Sequence, residues 1–288
     1  MPTIAITLGD PAGIGPEVVA KTLRDRRLPK GFRYEVVGKQ GGKGIRVGQY
    51  TMQSAIAAIT ALERAAEGCV SGKYAAMVTA PVHKESIARH EPDFVGQTEF
   101  LARACGLPND TAVMMLTDPK LTVSLCTNHC SLEDALARLT TERIIYVAKI
   151  TTEFLQKRGI ANPRLAFAGV NPHLGEGGLF GDEDSRVVEP ARKKLAKNGI
   201  EVNVAPADTV FHLAVHKKAF DAVICAYHDQ GLIPFKLVAF ETGVNVTLGL
   251  PIIRTSPDHG TALEIAGKNK ADHRSMLAAV QLAAKLAR

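Results

Sequence analysis

Residues 3–23 read TIAITLGDPAGIGPEVVAKTL, and their order decides the architecture. Thr3 to Leu8 is apolar and β-rich, the pattern of a buried strand. Gly9, Asp10 and Pro11 break it. Pro16 then stands near the first helical position, where a missing N–H costs nothing, and Val18 to Leu23 continue with helical spacing. Strand, glycine turn and helix make one βα unit. The alternation continues along the chain. Strands are predicted at 34–37, 75–79, 112–116, 121–126, 164–169, 202–205, 220–226 and 243–248, with helices at 54–66, 184–198 and 272–286. A long helix is predicted to open at Ser131, the N-cap, with Asp134 in the acidic position of a capping box. Residues 38–48, rich in glycine and lysine, read as a loop. The pattern predicts an α/β protein with a largely parallel sheet.

Composition narrows the function. Hydrophobic residues make up 46% of the 288 and charged residues 22%, which suits a globular chain with a substantial core and argues against disorder. The apolar stretch at 276–286 is broken by Gln281 and Lys285, so no run reaches the roughly 18–20 residues of a membrane span. The first residues carry no basic, cleavable leader, and a cytoplasmic location is expected. Five cysteines at irregular spacing (Cys69, Cys105, Cys126, Cys130, Cys225) read as reduced thiols rather than a disulfide framework. Cys126 and Cys130 flank His129 and read either as small buried thiols or as extra metal ligands. A net charge of +6 suits an anionic small substrate or a nucleotide. Nucleic acid is disfavoured, because basic residues are scattered, tryptophan is absent and aromatics are 5%, leaving no stacking platform.

In α/β sheets ligands gather at the C-terminal ends of strands. Six polar clusters follow predicted strands: Gly9-Asp10, Pro81 to Lys84, Thr127 to His129, Asn171 to His173, Tyr227 to Asp229, and Arg254 to His259. That is more polarity at strand ends than a scaffold needs, and it predicts an enzyme. Three of the clusters hold a histidine, His129, His173 and His228. Three neutral imidazoles would bind a divalent transition metal and leave a coordination position open. Taken singly, each also reads as a hydrogen-bonded scaffold histidine. Asp229 and Asp258 read as orienting groups, general bases or caps. Arg254 offers a fork for carboxylate or phosphate, and Lys236 a point charge. Gly13 and Gly15 could cradle an anion at a helix N-terminus. No G-x-G-x-x-G follows any strand, so there is no Rossmann fingerprint.

Together the motifs resemble the 4-hydroxythreonine-4-phosphate dehydrogenase family of pyridoxal phosphate biosynthesis. The matching stretches are GDPAGIGPE (9–17), PVHK (81–84), NPHLGEGG (171–178), YHDQG (227–231), GVNVTLGLP (243–251) and IRTSPDHGTALE (253–264), in the family's order. The resemblance implies an isocitrate/isopropylmalate dehydrogenase-like fold with two α/β subdomains flanking a cleft. Residues 1–118 and 241–288 would form the nicotinamide side, and 119–240 the metal- and dimer-forming side. HGTALEIAGK (259–268) looks like the adenosine-binding loop of isopropylmalate dehydrogenases. It implies NAD or NADP held by His259, Gly260, Thr261, Ala262, Glu264 and Asp272. The family's metal ligands fall on His129, His173 and His228, implying one divalent ion (Zn, Mg or Co) per subunit of a homodimer, with ligands from both subunits. Its substrate contacts fall on residue 97, Thr98, Lys236, Asn245 and Arg254.

The implied reaction oxidises the secondary alcohol of 4-phosphohydroxy-L-threonine. Decarboxylation to 3-amino-2-oxopropyl phosphate follows, with Asp229 or Lys84 accepting the proton. The chain departs from the pattern twice. The family's Gly-His-Thr-Glu-Phe reads Gly96-Gln97-Thr98-Glu99-Phe100, and Gln97 can keep a hydrogen bond but carries no charge. The segment from Gly31 to Gly48 is also short for the family. Both departures leave room for a catabolic relative acting on threonate or erythronate 4-phosphate or on an aromatic cis-dihydrodiol. Retention of the three histidines and Lys236 argues against a non-enzymatic nucleotide-binding protein.

Overall fold

The structure is a computed structural model describing residues 1–288. In chain order its elements are β1 (Thr3–Thr7), α1 (Gly15–Arg24), β2 (Arg33–Val37), α2 (Met52–Val70), β3 (Ala76–Thr79), α3 (Lys84–Ala88), α4 (Gln97–Ala104), β4 (Val113–Thr117), β5 (Thr122–Leu125), α5 (Leu132–Arg138), α6 (Thr141–Lys157), β6 (Leu165–Ala168), α7 (Glu189–Lys197), β7 (Val202–Ala205), α8 (Ala207–Lys217), β8 (Ala222–Cys225), α9 (His228–Ala239), β9 (Val244–Leu248), β10 (Arg254–Pro257) and α10 (Arg274–Leu286). The chain divides into two units, Met1–Ala112 with Glu241–Arg288, and Val113–Phe240. The first unit gives way at Ala112 and not at residue 118, because β4 pairs antiparallel with β5, Met115 opposite Ser124.

In the first unit the strands run β2-β1-β3-β10-β9. All neighbours are parallel except β10 and β9, where Arg254 faces Thr247 and Ser256 faces Asn245. Ala5 and Met77 of the strands pack with Leu62 of α2, Ile87 of α3 and Leu101 of α4 in one buried cluster. Thr255 Oγ1 donates to the Ala279 carbonyl at 2.8 Å and ties β10 to α10. In the second unit the order is β4-β5-β8-β6-β7, parallel apart from β4 and β5. Leu116, Leu125, Val223 and Phe235 lie in its core. Phe235 is fully buried, a side chain worth about 1.5–3 kcal/mol relative to its exposed state.

Two readings of the sequence are corrected. The helix opening at Ser131 is not one long helix. Ser131 caps α5 by accepting from the Asp134 N–H at 3.1 Å, but Leu139 is extended and Thr140 starts α6 with its own cap on the Arg143 N–H at 3.1 Å. Asp134 does not complete the capping box; its carboxylate accepts from the Ser131 hydroxyl at 2.9 Å instead. The predicted helix at 184–198 begins as a π-helical turn, Asp184–Val188, before α7. Helices α8 and α9 carried no clear periodic signal, and Gly231 with Pro234 interrupts the pattern of α9. No helix is long and apolar enough to cross a membrane.

Candidate active site

The polar end of the first unit is organised by Arg254. It is not in a loop, as its cluster suggested, but opens β10, with its side chain buried. Its Nε and Nη2 donate to Thr79 Oγ1 at 3.0 and 2.8 Å, Nη1 to Thr247 Oγ1 at 3.0 Å and Asn245 Oδ1 at 3.5 Å, and Nη2 to Gln97 Oε1 at 3.1 Å. All four partners are neutral. Burial lowers the guanidinium to about 10, with Glu99 opposing the shift, so it stays charged at neutral pH. A buried cation whose hydrogen-bond partners are all neutral is suited to an anion, because an arriving carboxylate or phosphate supplies a charge bonded directly to it. Three predicted substrate contacts, Gln97, Asn245 and Arg254, are thus one network. Gln97 also donates from Nε2 to the Ala80 carbonyl at 3.3 Å. Thr98, next in α4, is buried.

Lys84 opens α3 immediately after His83, whose Nδ1 accepts from the Ser86 N–H at 3.2 Å as a helix cap. Burial lowers the Lys84 pKa, opposed by Glu99 and reinforced by Arg254. That brings its amine closer to neutral-pH proton transfer. Glu99 Oε2 is buried without a partner. Asp10, at the end of β1, is fully buried. Its Oδ1 accepts from the Ala12 N–H at 2.9 Å, while Oδ2 has no partner. Burial raises its pKa, opposed by the Ala12 N–H, by the Ser54 hydroxyl nearby and by His83.

The proposed cofactor loop also lies in the first unit. The Thr261 carbonyl accepts from the Ile14 N–H at 2.9 Å, and a Cβ on Gly13 would meet that oxygen at 2.7 Å, so only glycine permits the approach. Ala262 is left-handed, at φ 41° and ψ 59°. Glu17 clamps the far end, accepting from the Ala271 N–H at 2.8 Å and the Asn269 N–H at 3.2 Å. His259 Nδ1 lies 3.1 Å from the Gly260 carbonyl, and Glu264 is exposed. Asp272 accepts from Arg274 Nε at 2.7 Å and from the Arg274 N–H at 2.9 Å, two residues ahead of α10, whose N-cap is His273. Sequence reasoning missed Tyr50. Its hydroxyl is 2.6 Å from Thr261 Oγ1, and its ring stacks on His83 with centroids 3.3 Å apart. Thr79 and Thr247 were also missed; the strand register that puts them beside Arg254 is not readable from spacing.

In the second unit, His129 follows β5 and His228 opens α9. Their ring centroids are 5.3 Å apart. They line a cavity of about 510 Å³ with Asn128, Cys130, Tyr227 and Asp229. Asp229 Oδ1 lies 2.6 Å from His228 Nδ1, leaving Nε2 as the nitrogen for a ligand. His173 is exposed, in the turn Pro172–Gly178 after β6. Lys236 is half-buried on α9, its Nζ 5.4 Å from the Phe240 ring centroid. No group of three His, Cys, Asp or Glu gathers within the chain as metal ligands. The paired imidazoles fit two positions of a divalent ion, and a complete set calls for a donor from elsewhere. Cys126 and Cys225 are buried thiols, the former pushed up to about 12 by burial, which makes them poor ligands.

The family model described as pyridoxal phosphate biosynthetic protein PdxA matches residues 19–283. The 4-hydroxythreonine-4-phosphate dehydrogenase of Geobacter metallireducens is 41% identical, covering 100% of this chain and 96% of the relative. That alignment runs to 328 positions, so the relative carries segments this chain lacks. Among solved structures, the 4-hydroxythreonine-4-phosphate dehydrogenase of Klebsiella pneumoniae is 36% identical with a TM-score of 0.83 and covers both chains completely. A terephthalate 1,2-cis-dihydrodiol dehydrogenase from Burkholderia xenovorans is 28% identical with a TM-score of 0.69, over 98% of this chain and 97% of that one. A β-decarboxylating dehydrogenase from Thermococcus kodakarensis, 18% identical with a TM-score of 0.59 over 99% and 82% of the two chains, shares the fold.

Proposed function

Because this chain belongs to the PdxA family of pyridoxal phosphate biosynthetic proteins, we propose that it oxidises 4-phosphohydroxy-L-threonine at its secondary alcohol, with decarboxylation to 3-amino-2-oxopropyl phosphate. Membership makes it an oxidoreductase; substrate, cofactor and metal are our reading. The observation that carries it is Arg254, a buried guanidinium whose four hydrogen-bond partners are all neutral, suited to an anionic substrate group. Lys236 supplies a second cation. His129 and His228, with His173 from a second copy, would hold one Zn, Mg or Co ion. When bound, such an ion can lower the pKa of a bound hydroxyl, as zinc takes water from about 15.7 to about 7, while NAD or NADP accepts the hydride.

The chain's own groups do the rest. Arg254 and Gln97 orient the anionic end. Lys84, with its depressed pKa, or Asp229 takes the alcohol proton. The His259–Glu264 loop with Asp272 would seat the cofactor.

A second copy is supported by the outer face of α9, where Ile233 is 69%, Leu237 85% and Phe240 69% exposed, an apolar stripe no isolated subunit needs. Five free thiols fit a reducing cytoplasm.

Gln97 favours a second reading, a relative acting on threonate or erythronate 4-phosphate. One panel decides: NAD(P)H production from 4-phosphohydroxythreonine, threonate and erythronate 4-phosphates and a cis-dihydrodiol, before and after chelation. We expect the first to be best and turnover to return only with added metal. Undiminished turnover after thorough chelation sinks the metal assignment; preference for threonate 4-phosphate transfers the chain to the second reading.

A further inference from the structure

The turn that carries His173 winds against the handedness of L-amino acids. His173 sits at φ 53° and ψ 30°, Leu174 at 58° and 34°, and Glu176 at 40° and 59°, with Gly175 and Gly177 between and after them at φ 81° and 69°. Side-chain-bearing residues visit this region singly and almost never in series. Such a conformation persists only where its surroundings over-determine it, and it concentrates at functional sites.

The surroundings are identifiable. A Cβ on Gly169 would stand 2.4 Å from Leu174 Cδ2, so the glycine makes room for the leucine of the turn, while His173 stays exposed. Asp184 is buried and begins the π-helical turn that precedes α7. Its Oδ1 accepts from the Val170 N–H at 2.8 Å and its Oδ2 from the Asn171 N–H at 2.9 Å. Glu183 Oε2 accepts from Asn171 Nδ2 at 2.6 Å. Two adjacent carboxylates therefore hold the last two residues before the turn, by backbone and by side chain. Neither touches His173, and neither stood out in the sequence, where Asp184 simply opens the helix predicted at 184–198.

We propose that Asp184, backed by Glu183, is the positioning residue for His173: it anchors Val170 and Asn171 so that the left-handed turn presents the imidazole in one fixed orientation. The proposal rests on the reading of His173 as a metal ligand. A π-helical turn at the anchoring residue fits this role, since such bulges recur at functional sites. Without the anchor, the turn would relax toward right-handed geometry and carry the imidazole with it.

The test is Co2+ titration of the full-length, metal-stripped protein, following chelator competition and the visible absorption of bound Co2+. Asp184→Asn is expected to weaken Co2+ binding roughly 10–100-fold, the usual effect of losing a group that orients a ligand, and to alter the absorption band. The melting temperature of the metal-free protein separates this from general destabilisation. Glu183→Gln alters a partly exposed side chain and should weaken binding in the same direction by less; it decides the matter if Asp184→Asn does not fold. Wild-type affinity and spectrum in the folded variants overturn the proposal. His173→Ala distinguishes the two failures. If it binds Co2+ like wild type, the ligand reading falls and the proposal with it. If it binds weakly while the carboxylate variants bind normally, only the positioning role falls.

Discussion

Gln97 Oε1 accepts from Arg254 Nη2 at 3.1 Å, so the one residue that departs from the family's Gly-His-Thr-Glu-Phe motif is bonded directly to the buried guanidinium. Gln97→His would place a titratable ring beside a guanidinium, which disfavours the imidazolium. The expected outcome is a new inflection in the pH profile of kcat/KM, below the ordinary histidine value of about 6.5, and a changed ratio between 4-phosphohydroxythreonine and threonate 4-phosphate. Superimposable profiles and an unchanged ratio would remove Gln97 from specificity.

Arg254→Lys keeps the charge and loses the fork. A lysine cannot serve Thr79, Thr247, Asn245 and Gln97 while meeting a substrate anion. KM for the phosphorylated substrate should rise roughly 10-fold or more, about 1.4 kcal/mol per factor of ten. Steady-state kinetics checks it; an unchanged KM would place the anion elsewhere.

Asp10→Asn should stabilise the protein at neutral pH. Burial raises the Asp10 pKa above 3.8, so the folded state disfavours the carboxylate that the unfolded chain tolerates. That cost is fully present above the folded pKa and disappears as pH falls below the unfolded value. Asparagine retains an acceptor for the Ala12 N–H and removes the charge. The variant should melt above wild type at pH 7, by about 2–4 °C for each kcal/mol recovered, with the gap closing near pH 4. A gap independent of pH in calorimetric scans would refute the assignment.

Leu237→Glu puts a charge on the exposed stripe of α9. If this face is covered by a second copy, the variant should sediment as a monomer with unaltered circular dichroism, and metal-dependent turnover should fall with it. A dimeric, active variant would move the subunit contact to another face.

The βα alternation was readable because buried parallel strands are continuous apolar runs and their helices keep their spacing. Five of the six polar clusters do follow strands, and Arg254 is the exception because β10, a short strand with three polar residues in four, reads like a loop. The split between α5 and α6 was hidden, since Leu139 looks like any helical leucine and only its extended backbone and the second cap at Thr140 end the helix.

Local spacing determined the α/β class and the place of three histidines after β runs, because those depend on side-chain chemistry and short-range periodicity. Tertiary structure decided which groups meet. Register brought Thr79, Thr247, Asn245 and Gln97 around one buried guanidinium, folding placed Tyr50 on His83, and the Asp184 anchor set the left-handed turn of His173. Such contacts join residues up to 175 positions apart, as Arg254 and Thr79 are, and no local pattern encodes a partner at that separation.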